Sequence, residues 1–344
     1  PDLPHEASRE RAVRVALQRH AAHGGPSARG PEDLVVCGCL VALLERYHVA
    51  SGWLSGPAPL PGSDEPETVT VPTDVALIDA HVHVFPDRVF DALWRWFEAY
   101  AWPIRYKLRA PETVRYLLDR GVGQVIALTY AHKPGMSRAL NHFVAELAAR
   151  EPRVLGFGSV LPGEPDAAGV LSEAKALGLC GIKLHCHVQS FAPDGDPGQE
   201  VFAHCERLGL PVIIHAGREP KSPAYPVDPH ALCSVDRIAR VLERFPALRL
   251  CVPHFGGDEF DAYQALLLRH DNLYLDTTMV IGGFMPGIDP SRVSARAERV
   301  MYGTDFPNLP HAWDRELGVL ERAGLGPEDR RAVLGGTARA FVGR

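Results

Sequence analysis

Several things are missing from this sequence, and each absence narrows what it can be. No C-x-x-C pair occurs among the seven cysteines. Their number is odd, and several sit inside apolar strand- or helix-like runs, so a disulfide framework is not expected and reduced thiols in a cytoplasmic protein are. Cys37-Gly38-Cys39 reads as small buried residues on a helix. The longest apolar run, Leu34 to Leu44, is far shorter than the roughly 20 residues of a membrane span. No basic-then-apolar pattern opens the sequence at Pro1-Asp2-Leu3-Pro4, so no secretory leader is expected. Basic residues are not in excess: 36 Lys and Arg against 42 Asp and Glu give a net charge of −6, without a basic stripe to bind nucleic acid. What remains is a soluble globular protein, 46% hydrophobic and 23% charged, whose 344 residues can bury a large core.

Along the chain, residues 1–55 read as a helical segment. Ala12, Val13, Ala16 and Leu17 have helical spacing, Gly24-Gly25-Pro26 interrupts, and Pro31-Glu32-Asp33 opens a second helix to about Tyr47. That second helix is apolar nearly all round and needs a cover, either the main domain or the partner in a homodimer. Residues 56–74 are rich in Pro and Gly and read as a linker. From Val75 onward, short apolar runs alternate with amphipathic helical stretches. The candidate strands are Val75–Val84, Gln124–Tyr130, Val154–Leu161, Gly181–His185, Pro211–His215, Leu248–His254, Asn272–Asp276 and Val300–Asp305. Such alternation predicts a parallel sheet, and this many units predict an α/β fold of the (β/α)8 TIM-barrel type over 75–344. A doubly wound sheet is the runner-up. It would carry a Gly-rich phosphate turn after its first strand, and this turn is His81-Val82-His83-Val84-Phe85-Pro86.

Residues two apart on a strand share a face, so His81 and His83 project together and suit one metal ion. Polar residues recur at other strand ends: Lys183, His185 and His187 at the fourth, His215 at the fifth, His254 at the sixth, Asp305 at the eighth. In a barrel these ends meet at one mouth, where active sites of the fold sit. Burying that many polar groups without partners would be costly, so core packing does not explain them.

The sequence D-x-H-x-H at 79–83, the histidines 215 and 254, and Gly303-Thr304-Asp305-Phe306-Pro307 resemble the amidohydrolase superfamily. The most similar branch is the amidohydrolase-related group that includes aminocarboxymuconate-semialdehyde decarboxylase. The likeness covers about residues 75–344. Leu334-Gly335-Gly336-Thr337-Ala338-Arg339 is similar to that branch's last helix, with Thr337 where Asn is common. The resemblance implies one divalent metal ion, Zn2+ as the usual one, held by His81, His83, His215 and Asp305. His254 would stand beside it unligated, polarising a substrate carbonyl or moving a proton. The chemistry is coherent without the family: three imidazoles and a carboxylate leave room for a water whose pKa falls from 15.7 to roughly 7. Asp305 would take its proton and His254 would steady the oxyanion.

Other candidates are secondary. Asp79 shares the face of the His pair and is a candidate partner for a ligating imidazole. In some members of the superfamily a carboxylated lysine on the fourth strand bridges two metals; Gly181-Ile182-Lys183-Leu184-His185 instead resembles the mononuclear branch, and Lys183 would otherwise pair with a carboxylate at the mouth. His185 and His187 would touch substrate or lie behind the ligands. Arg218 or Lys221 would meet a substrate carboxylate or remain solvated. Trp102 and Tyr106 would line the mouth or a subunit contact, with Arg105 and Lys107 beside them.

The first expectation is therefore a metal-dependent hydrolase of a small-molecule amide, ester or lactone, working without nucleic acid or membrane. The alternative is a metal-dependent nonoxidative decarboxylase of an unsaturated or aromatic carboxylic acid. A barrel that binds a ligand without turning it over ranks last, since every expected position is occupied.

Overall fold

The computed structural model describes residues 65–100, 102–218, 228–283 and 287–343. The helical reading of 1–55 and the first part of the 56–74 stretch lie outside the described residues. So does Lys221.

Eight parallel strands, each paired with the next in sequence order, form the sheet. They are β1 (Ile78–His83), β2 (Gln124–Leu128), β3 (Val154–Ser159), β4 (Gly181–His185), β5 (Val212–His215), β6 (Leu250–Val252), β7 (Leu273–Asp276) and β8 (Val300–Met301). The ring closes between β1 and the chain around and beyond β8. Ala80 N donates to Tyr302 O at 2.9 Å, Asp305 N to His81 O at 2.9 Å, and His83 N to Phe306 O at 2.7 Å. This is the expected TIM barrel.

Local sequence explains the elements. Alternate residues of β2 divide between two buried clusters: Ile126 and Leu128 join Ile78, Leu155, Ile213 and Met301 within the barrel, while Val125 and Ala127 face the helices. Both faces are therefore apolar, as parallel strands under a helical layer require. The helix Val235–Arg244 begins where the Ser234 side chain accepts from Arg237 N, and it buries Ile238, Val241 and Leu242 at helical spacing. The helix Asp196–Leu208 stops at Gly209, whose φ of 66° is open to glycine at little cost. Among the described residues, no helix is long and apolar enough to cross a membrane.

Two strands stop earlier than the apolar pattern suggests. β6 ends at Val252 and β8 at Met301, and beyond them His254 and Asp305 take left-handed backbone conformations, with φ of 55° and 75°. Non-glycine residues rarely do so, and such outliers gather at functional sites.

Residues 65–74 contain no helix or strand, yet they lie against the barrel. The Asp314 carboxylate accepts from Thr68 N and Val69 N, both at 2.7 Å. Glu67 accepts from Tyr106 Oη at 2.8 Å, from Arg120 Nε at 2.9 Å, and from the Tyr116 hydroxyl. Arg315 Nε donates to Glu65 at 2.9 Å.

Candidate active site

β1 delivers two imidazoles to the mouth with ring centroids 5.1 Å apart. The hydrogen bonds that close the barrel bring Asp305 to the same place. His83 Nε2 lies 2.9 Å from Asp305 Oδ1, and His81 Nε2 lies 3.4 Å from the same oxygen. His81, His83 and Asp305 each offer one donor atom, all within 4.8 Å of one another, so the trio could hold a metal ion.

The protonation states suit that use. His81 Nδ1 is 2.9 Å from Asp276 Oδ2 in a fully buried contact. The carboxylate fixes the proton on Nδ1 and leaves the Nε2 lone pair directed at the trio. Burial, together with the nearby Lys183 charge, pushes His81 protonation well below its usual range, so the ring stays neutral. Burial alone would raise the Asp305 carboxyl, but the hydrogen bond from His83 and the electrostatic influence of the imidazoles around it hold it well below the usual carboxylate range. A neutral imidazole facing a carboxylate is the donor chemistry a hard-to-borderline divalent ion needs.

His254 stands at the edge of this group, its ring centroid 5.5 Å from that of His81. Its Nδ1 meets the Thr278 carbonyl at 3.0 Å, which puts the proton there and leaves Nε2 as the acceptor. Burial and the neighbouring His215 push its pKa down to about 4.

The remaining sequence candidates fall in distinct places. His215 is 4.7 Å from His254 between centroids, and it stacks on His185 at 4.2 Å and 8°, outside the close trio. Lys183 is buried; its Nζ lies 3.4 Å from His81 Nε2, and burial lowers its pKa to about 8. Asp79 makes its hydrogen bonds away from the imidazoles. Its carboxylate accepts from Thr304 Oγ1 at 2.6 Å, from Thr304 N at 3.1 Å and from His81 N at 3.1 Å, and burial raises its pKa to about 7. His185 meets the Tyr130 ring at 5.3 Å, and His187 is buried 5.4 Å from the His215 ring. Arg218 pairs with Asp258 and Glu259 at 3.2 and 3.3 Å, which ties the chain after β5 to the chain after β6. Trp102 and Tyr106 are both buried, and the Tyr106 hydroxyl is engaged by Glu67 and Trp313 N.

Two residues of the site escaped the sequence reading. Asp276 ends β7, and Tyr130, just beyond β2, touches the rings of both His83 and His185. The signal for Asp276 was present: Leu273-Tyr274-Leu275-Asp276 is one more apolar strand ending in a polar side chain.

A profile of the amidohydrolase family matches residues 78–344. The chain belongs to this family. A relative, the 6-methylsalicylic acid decarboxylase of Penicillium expansum, is 24% identical over 324 residues, covering 77% of this chain and 95% of the fungal protein. A second, the 2-amino-3-carboxymuconate-6-semialdehyde decarboxylase of Dictyostelium discoideum, is 29% identical over 139 residues, covering 36% of this chain and 38% of its own. Among solved structures, a 5-carboxyvanillate decarboxylase from Sphingomonas paucimobilis superposes with a TM-score of 0.59 at 18% identity, over 78% of this chain and 99% of that one. A dihydroxybenzoic acid decarboxylase from Polaromonas, solved with bound manganese, gives 0.57 at 17% identity, over 78% and 97%. At these identities the superpositions speak for the barrel alone.

The relatives overturn one expectation. Hydrolysis of an amide, ester or lactone was the first reading, and the named relatives of this chain are decarboxylases. The strand-end donors serve either chemistry and never discriminated between them; the preference for hydrolysis rested on the breadth of the superfamily and on the absence of an arginine pair near the motifs.

Proposed function

We propose that the barrel mouth catalyses the metal-dependent nonoxidative decarboxylation of an aromatic or unsaturated carboxylic acid. The observation that carries the reading is the match to 6-methylsalicylic acid decarboxylase over 95% of that protein, on a chain that gathers His81, His83 and Asp305 at one point. The reaction breaks the bond from ring or alkene carbon to carboxylate, leaves the electron pair on carbon, and adds a proton there as CO2 departs.

His81, His83 and Asp305 hold one divalent ion in this proposal, with His215 as the fourth donor. Imidazole and carboxylate suit zinc or manganese. The ion supplies a Lewis acid for the substrate's oxygens. The protein's own groups do the rest. The Tyr130 ring, edge-on to His83 and inclined at 59° to the His185 ring, would supply an aromatic contact for an unsaturated acid beside His83. His254 Nε2, the nitrogen that the Thr278 carbonyl leaves open, would take up a proton from solvent or from the substrate's carboxyl group and pass it to the reacting carbon as CO2 departs. Asp305 stays anionic through its contacts with His83 and His81.

The test is CO2 release from a panel of hydroxybenzoic and unsaturated carboxylic acids by protein loaded with Zn2+ or Mn2+. Stoichiometric CO2 and the protonated product support the reading. Metal-loaded protein that releases none from any acid in the panel overturns it.

A further inference from the structure

A single buried carboxylate reaches two members of the site, one on β1 and one in the turn after β6. Asp276 Oδ2 takes His81 Nδ1 at 2.9 Å, while Oδ1 accepts from His254 N at 2.9 Å and from Thr278 N at 3.2 Å. Asp276 is 0% exposed, so water does not compete for any of these contacts. Through them the end of β7 fixes the end of β1 on one side and the turn after β6 on the other. The His254 side is doubly held. Its backbone, left-handed at φ 55°, hangs on Oδ1, and its ring hangs on the carbonyl of Thr278, whose own N–H is bound to that same oxygen.

We propose that Asp276 is a positioning residue that sets both the metal affinity of His81 and the place of His254. The inference rests on the metal reading given above. Its physical basis is the division of labour between two oxygens. Backbone N–H groups occupy Oδ1 and only donate, so Oδ1 is fixed as an acceptor. Oδ2 faces an imidazole nitrogen and, being a carboxylate oxygen, can only accept, which obliges His81 to carry its proton on Nδ1. The Nε2 lone pair then points toward Asp305 without a tautomer change, and the adjacent negative charge raises that nitrogen's basicity as a ligand. Asp79, the other buried carboxylate near β1, binds only the backbone of His81 and the Thr304 groups, so it exerts no such control over the ring.

Asp276→Asn tests this with little change of shape. The amide oxygen must keep the two backbone donors, which turns the NH2 toward His81 Nδ1. A donor there forces the imidazole proton onto Nε2, the nitrogen the metal needs. Zn2+ affinity, measured by chelator competition on the purified protein, is expected to weaken about 10- to 100-fold. An affinity within about twofold of the native protein would overturn the proposal. If Asp276→Asn does not fold, nitrogen-15 NMR of the native metal-free protein decides instead. His81 protonated at Nδ1 and bare at Nε2 supports the proposal; the opposite tautomer sinks it. Neither measurement involves a substrate, so a negative CO2 assay leaves this inference untouched, and failure here leaves the decarboxylase reading to its own test.

Discussion

The backbone N–H of Asp305 donates to the carbonyl of His81 at 2.9 Å, so one of the bonds that closes the barrel also sets the third donor beside the first. Closure of the fold and assembly of the donor trio are one geometric event. A chain that fails to close after β8 lacks the carboxylate and has only two imidazoles left at the trio.

Removing a donor should therefore remove the metal. Native protein is expected to hold close to one equivalent of divalent ion by mass spectrometry, and His83→Ala to hold little. Lys183→Ala should retain it; two equivalents in the native protein, falling when Lys183 is removed, would contradict a mononuclear site.

His254 is anchored by Asp276 and Thr278, outside the donor trio. His254→Ala should keep its metal while CO2 release falls by about 100-fold or more, the scale of a lost general acid–base group. Loss of metal in this variant would place His254 among the ligands.

Gly303 offers a finer probe. A Cβ at this position would come within 2.5 Å of Thr278 Oγ1 and 2.9 Å of His81 Cβ. Gly303→Ala is expected to cost about 1–3 kcal/mol of stability through overpacking, read as a lower melting temperature, and to weaken metal binding by displacing His81. Unchanged melting and metal content together would mean that the site yields freely.

Glu67 links stability to acidity. Burial alone would raise its carboxyl, but hydrogen bonds from Tyr116, Arg120 and Tyr106 outweigh it and hold the pKa down at about 2. A group lowered on folding stabilises most above its unfolded value and loses that contribution as pH falls toward the folded one. The melting temperature should thus decline between about pH 5 and pH 2, and Glu67→Gln should lie below the native protein at about pH 6 and converge with it in acid. Parallel curves for the two proteins would refute the linkage.

The barrel was legible because its pattern is periodic and local. Each strand is a short apolar run bounded by polar punctuation, and β4 matches its expected span of Gly181–His185 residue for residue. His81, His83 and Asp305 were legible for the same reason, as polar residues following apolar runs. The early ends of β6 and β8 were not, because no residue type announces a left-handed His254 or Asp305. Nor was the division of tasks between two aspartates. Asp79 lies two residues from His81 in sequence and binds its backbone, whereas Asp276, 195 residues away, binds its ring. Sequence proximity favoured the wrong partner for the imidazole, since the circular strand order is what makes β7 a near neighbour of β1. Hydrolysis and decarboxylation were inseparable at the level of ligands because they share them; the comparison with relatives favoured the second.

The segment 65–74 bears on where the folding unit begins. The family profile starts at residue 78, with β1. Yet Glu67 answers the Arg120 guanidinium and two tyrosine hydroxyls on the helical layer, Glu65 answers Arg315, and Val71 is buried against the core. A truncation placed at the profile's edge would strip counter-charges from the outer layer. It would also uncover apolar surface around Gly121, where the fit is so close that an added Cβ would sit 3.1 Å from Val71. Residues upstream of the family's shared barrel are thus part of its packing, and a border drawn at residue 78 cuts through those contacts.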